Sequence, residues 1–171
     1  MRLASLMLLT LLLCFSCGKD DSDPEKEGNC LTATIDGDDF TAESTTATFI
    51  TTNIEYENLG IQETRLLTIT GTIPSLTGNT ETITLAFACS EFSSDLDYVD
   101  SDSDCGIAMS YNITSFTDPN SSLVISSSTG AINVEEVTDE KIRGTFTFNG
   151  EDQNGGAYVI TNGFFDTTIE Q

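Results

Sequence analysis

From residue 30 onward, apolar side chains recur at every second position, and turn residues interrupt the pattern at short intervals. A period of two is the mark of half-buried strands, because successive side chains on a strand point to opposite faces. Leu31, Ala33 and Ile35 alternate with threonines and stop at Asp36-Gly37. That dipeptide suits a two-residue hairpin, whose central positions both need positive φ. Phe40 and the stretch TTATFITT give a second strand, and Leu67, Ile69, Gly71 and Ile73 a third, ended by Pro74 and turned by Thr77-Gly78-Asn79. Ile83, Leu85, Phe87 and Cys89 return, and Ile107, Met109, Tyr111 and Ile113 mark the next strand. Leu123 and Ile125 make a short one, closed by Ser128-Thr129-Gly130, with Ile132 and Val134 following. Ile142, Gly144, Phe146 and Phe148 run up to a break at Asn149-Gly150. A last segment from Ala157 to Ile169 carries Asn162-Gly163, which reads as a bulge.

About nine such strands and no amphipathic helix predict an all-β domain, an antiparallel meander closed as a sandwich or as a barrel. The 26 threonines suit the solvent faces of strands. Gly71 and Gly144 fall at inward positions, where a missing side chain marks sharp coiling or room for an opposing aromatic. Phe40, Phe49, Phe87, Phe146, Phe148, Phe164 and Phe165 fall mostly in alternating strands and read as core.

The first residues obey a different rule. Arg2 is the only charge before Lys19, and Leu3 to Phe15 is almost continuously apolar. That run is too short to cross the roughly 30 Å hydrocarbon core comfortably and reads as a secretory signal over residues 1–16. Ser16 stands directly before Cys17 at the end of the run, which resembles a bacterial lipobox. The resemblance implies a diacylglycerol on Cys17, although Phe15 and Cys14 depart from the small or aliphatic residues of the strict pattern. Lys19, Asp20 and Asp21 then resemble the acidic export tag of surface lipoproteins of the Bacteroidota type. Residues 17–29 form a polar, acidic tether that cannot build a core, and residues 30–171 form the β domain. Attachment to the membrane is therefore expected through lipid, at about 0.8 kcal/mol per buried CH₂. The expected location is the outer membrane, facing the cell exterior.

Within the domain, LTATIDGDDFTA at the front and STGAINVEEVTDEKIRGTFTFNG with GGAYVITNGFFDTTI at the back resemble the opening and closing hairpins of Bacteroidota lipoprotein domains. The shared features are turns and alternations, so they imply a fold and no catalytic residue. An acidic insert between Cys89 and Cys105 departs from the pattern.

Three cysteines stay outside the signal and the lipid site: Cys30, Cys89 and Cys105. Cys89 ends one apolar run and Cys105 opens the next, so a bridge between them would staple the base of the insert. Closing a loop of that length is worth roughly 3 kcal/mol. Cys30 begins the first strand and could compete for either partner.

Composition then excludes several chemistries. The chain has no histidine, which removes Ser-His-Asp and Cys-His catalysis and imidazole-bound metals. Six basic residues against 28 acidic ones, a net −22, leave no positive stripe for nucleic acid. The insert holds Glu91, Asp95, Asp97, Asp100, Asp102 and Asp104. Carboxylates alternating at Asp100, Asp102 and Asp104 can curl around calcium, the one cofactor the sequence suggests. The glycine is one position late, however, and Tyr111 stands where an EF-hand needs a bidentate Glu, so a solvated acidic loop is the competing reading. Asp36, Asp38 and Asp39 form a second acidic turn that hairpin geometry explains alone. Tyr56, Tyr98 and Tyr111 are candidates for a sugar-stacking platform, weakened by the absence of tryptophan. Asp166-Thr167-Thr168 resembles an O-glycosylation acceptor of the same bacterial group. The expected role is non-catalytic: binding a ligand or protein partner outside the cell, or an accessory part in the envelope. The alternatives are a calcium-stabilised adhesion or structural module and, more distantly, a glycoside hydrolase built on paired carboxylates.

Overall fold

The computed structural model describes residues 29–56, 60–89, 96–99, 105–118 and 121–170. Its ten strands are β1 (Cys30–Ile35), β2 (Asp38–Thr41), β3 (Ser44–Tyr56), β4 (Gly60–Ile73), β5 (Asn79–Cys89), β6 (Leu96–Val99), β7 (Cys105–Ser115), β8 (Leu123–Val137), β9 (Lys141–Glu151) and β10 (Ala157–Glu170). The order β10-β3-β4-β5-β7-β8 is closed by β9, which pairs with both β8 and β10. Seven strands thus form a closed barrel, the second of the two expected architectures. Every pairing is antiparallel except the closure, where Ile169 meets Ala47 and Glu170 meets Thr48 in parallel. Following rungs from Thr70 through Thr84, Ser110, Ser126 and Glu151 arrives at Ala157. In the other direction Thr70 meets Thr46, beside the Ala47 that faces Ile169. The register is therefore staggered by most of a strand length, as tilted barrel strands require.

The inner face holds the apolar half of each alternation. Leu67, Ile69, Ile83, Leu85, Phe87, Met109, Ile125, Ile132, Val134, Ile142, Ile160 and Phe165 are buried. Phe146 and Phe165 stack with centroids 6.4 Å apart. Phe40, Phe87 and Phe148 are buried as expected and Phe49 packs against the core. Phe164 instead lies on the outer wall under the Arg143 guanidinium, 5.4 Å from its ring centroid.

Asp36 and Gly37 have φ of 50° and 96°, and Ile35 faces Asp38, so the hairpin forms as its sequence requires. Asn162 has φ 51°, and the β9–β10 register shifts between Ile160 and Gly163, so the bulge is also present. Three segments differ from the sequence reading. The stretch around Phe40 divides into β2 and β3 at Ala42-Glu43, because β2 folds back on β1 while Glu43 N–H donates to the Thr72 carbonyl. Ser128-Thr129-Gly130 does not end a strand; β8 runs through it, with register shifts between Ser127 and Thr129 and between Val134 and Glu136. Asn149-Gly150 does not end one either, since both residues stay paired across to β10 and the turn follows Glu151. The insert contributes a strand that alternation did not reveal, β6, laid antiparallel on β8.

Candidate functional site

Antiparallel alternation assigns an end of the barrel to every turn. β3, β5, β8 and β10 run one way, and β4, β7 and β9 the other. One end therefore carries the β3–β4 connection, the cysteine-flanked insert, the β8–β9 turn and the end of β10. β1 is antiparallel to β10, so Asn29 leaves the barrel at this same end. The opposite end carries the β1–β2, β4–β5, β7–β8 and β9–β10 turns.

Asn29 is clamped where it enters. Its Oδ1 accepts hydrogen bonds from Thr168 N–H at 2.8 Å and from the Thr167 and Thr168 hydroxyls at 3.0 Å each. Thr167 is fully buried, which overturns the acceptor reading of Asp166-Thr167-Thr168: the middle hydroxyl is engaged inside the fold and out of reach of a glycosyltransferase.

At the opposite end the turns are tied internally. Gly78 N–H donates to Ser75 Oγ at 2.9 Å, and Ser75 N–H to Thr80 Oγ1 at 3.1 Å. Asp118 N–H donates to Ser115 Oγ at 3.2 Å, and Ser115 N–H to Ser122 Oγ at 3.1 Å. Asp152 Oδ1 accepts from Asn154 and Gly156 N–H, while the Gln153 amide joins Val124 N–H to the Ser122 carbonyl. Asp36 Oδ1 accepts from Val159 N–H at 2.8 Å, so this carboxylate is a turn fastener. On these fixed turns Leu76 is 97% exposed and Phe116 63%, and Val124 and Val159 are exposed near the starts of β8 and β10. Single exposed apolar residues are ordinary, but four of them fall at this end of the barrel, two of them on turns.

Beneath these turns a polar contact lies inside the barrel, at a tyrosine already singled out as a candidate. Tyr111 points inward, meets Phe40 edge to face at 6.3 Å, and donates from its hydroxyl to Glu81 Oε2 at 2.6 Å. Burial, then the hydrogen bond to the Glu81 carboxylate and its negative charge, hold the Tyr111 phenol well above its ordinary value of 10.0. Tyr111 is thus a core residue and not part of a sugar platform, because it shares the inner face of β7 with the buried Met109.

Cys89 and Cys105 face each other as the last rung of the β5–β7 ladder and form a disulfide with Cα atoms 4.5 Å apart, as expected. Cys30 is disulfide-bonded too, but to neither of these two. Cys17, Lys19, Asp20 and Asp21 lie outside the described residues, as do Asp100, Asp102 and Asp104 of the suggested calcium loop and Glu91 and Asp95. Sequence reasoning missed Leu76 and Phe116 because an isolated apolar residue in a turn has no period to reveal it. The chain matches no family model, no curated protein and no solved structure.

Proposed function

We propose that the chain is a lipid-anchored cell-surface protein that binds a partner or extracellular ligand without catalysis, through the turns at the far end of the barrel. The observation that carries the reading is the placement of Leu76 and Phe116 on hydrogen-bonded turns at the end opposite Asn29. A tether attached at one end leaves the other free to meet a partner, and fixed turns lose little entropy on binding. The lipobox-like Ser16-Cys17 and the Lys19-Asp20-Asp21 cluster support the anchor and the outward location.

Two experiments test it. Cys17→Ser releases the chain from the membrane fraction; retained attachment refutes the lipid. On an array of extracellular polysaccharides and matrix proteins, the parent chain retains a ligand that the Leu76→Ser/Phe116→Ser variant, melting at the same temperature, does not. A parent chain that retains nothing, or a variant that retains as much, overturns the binding reading.

A further inference from the structure

At the far mouth of the barrel the last inward row runs Ile73, Glu81, Ile113 and Leu123, each facing the next across β4, β5, β7 and β8. All four are partly buried, and the three apolar ones pack against the core. One layer deeper, Ile83, Ile125 and Tyr111 are buried and close the floor. Glu81 is thus a carboxylate set between two isoleucines. Its Oε2 accepts the Tyr111 hydroxyl at 2.6 Å, and among the described residues nothing bonds its Oε1. No described cation reaches it either. Arg65 pairs with Glu63, Lys141 with Glu136 and Asp166, and Arg143 with Glu135. A carboxylate drawn among apolar side chains costs free energy unless a cation joins it. Of the residues outside the description, only 119–120 join strands at this end.

We propose that this mouth receives a lysine side chain of a partner polypeptide, with Glu81 as its counter-ion. The inference rests on the far-end binding reading and names the group recognised there. The lysine stem would lie along Ile73 and Ile113 and bring its ammonium to Glu81 Oε1, since long basic side chains cover apolar surface while their charge keeps a polar partner. The Tyr111 hydrogen bond selects lysine over arginine. A guanidinium pairs best with both oxygens of a carboxylate, and Oε2 is already engaged; an ammonium is a point charge that one oxygen satisfies. Leu76 stands three residues beyond Ile73 and Phe116 three beyond Ile113, so the polypeptide that carries the lysine meets apolar turns at the mouth. The net −22 of the chain favours a cationic visitor before contact is made.

The test follows the isoleucine methyl resonances of the full chain while a short serine–leucine peptide with one central lysine is added. The Ile73 and Ile113 methyl signals shift. A counterpart with norleucine in place of the lysine binds at least about tenfold more weakly, and one with arginine binds more weakly than the lysine peptide. Glu81→Gln keeps an acceptor for the Tyr111 hydroxyl, melts close to the parent and erases the preference for lysine over norleucine. Tyr111→Phe releases Oε2 and narrows the gap between lysine and arginine, a change that a merely structural tyrosine would not produce. Four outcomes overturn the proposal: no methyl shift in the parent chain, equal binding of the norleucine peptide, the lysine preference kept in Glu81→Gln, and an unchanged lysine–arginine gap in Tyr111→Phe. The far-end reading is decided separately. An array ligand lost by Leu76→Ser/Phe116→Ser but held in full by Glu81→Gln leaves that reading standing and overturns the lysine.

Discussion

Gly144 has Val134 on one side and Phe165 on the other, and the Phe165 ring covers the space where its side chain would be. A Cβ there would lie 2.7 Å from Phe165 Cζ and would overlap the Asn133 carbonyl oxygen. Because a backbone group cannot turn aside, Gly144→Ala is expected to cost about 3 kcal/mol, near the top of the usual overpacking range; urea unfolding checks it. Tyr111 yields a prediction in pH. Its phenol stays protonated in the fold above its ordinary value, whereas the unfolded chain ionises near pH 10.0. The unfolded state then binds fewer protons, so stability present below pH 10 is lost as pH rises beyond it, at up to about 1.4 kcal/mol per pH unit. Tyr111→Phe removes this part of the alkaline slope. At neutral pH the same change costs about 1–2 kcal/mol, because Glu81 loses its donor. Alkaline denaturation of the two proteins side by side separates the contributions.

Individual elements were legible wherever one local rule governs the backbone. Asp36-Gly37 and Asn162-Gly163 announced a hairpin and a bulge because positive φ is costly for most residues. Asn162→Gly should accordingly leave the melting temperature nearly unchanged, while Asn162→Val lowers stability by about 1–2 kcal/mol through the β-branched residue at positive φ. The same local reading failed at Ser128-Thr129-Gly130 and Asn149-Gly150, since pairing with β9 carries β8 past the first and pairing on both edges of β9 carries it past the second, overriding turn propensity. β6 escaped notice because its four residues, LDYV, are too short to display a period. The disulfide was legible as two cysteines bounding one insert, and as the final rung of its ladder it fastens the base of that insert. Replacing Cys89 and Cys105 by alanine together should cost about 3 kcal/mol, read as a lower midpoint in denaturant.

At the scale of the molecule, barrel closure was not legible. It depends on β10 meeting β3 over two pairs brought together by the stagger of the whole wall, and no single segment encodes that. The surface of Leu76 and Phe116 was illegible for the same reason: only the completed topology puts their turns at one end. What topology joins can also be undone at a single residue. Asn29→Ala removes the acceptor shared by Thr167 and Thr168 and should cost about 1–3 kcal/mol, part of it from leaving the buried Thr167 hydroxyl poorly satisfied. Amide exchange near the ends of β1 and β10 would report that loosening first.

The entry point at Asn29 also decides how the barrel bears a mechanical load. β1 lies along β10 with its rungs running crosswise to the chain. A pull between Asn29 and the Leu76 turn acts lengthwise on those strands, so the rungs are sheared together and share the force. A pull between Asn29 and Glu170, which lie at the same end, peels β1 from β10 one rung at a time. Optical-tweezer handles on the first pair should therefore require a markedly higher rupture force than handles on the second. Under tension from one end to the other, the barrel is loaded along its strong direction.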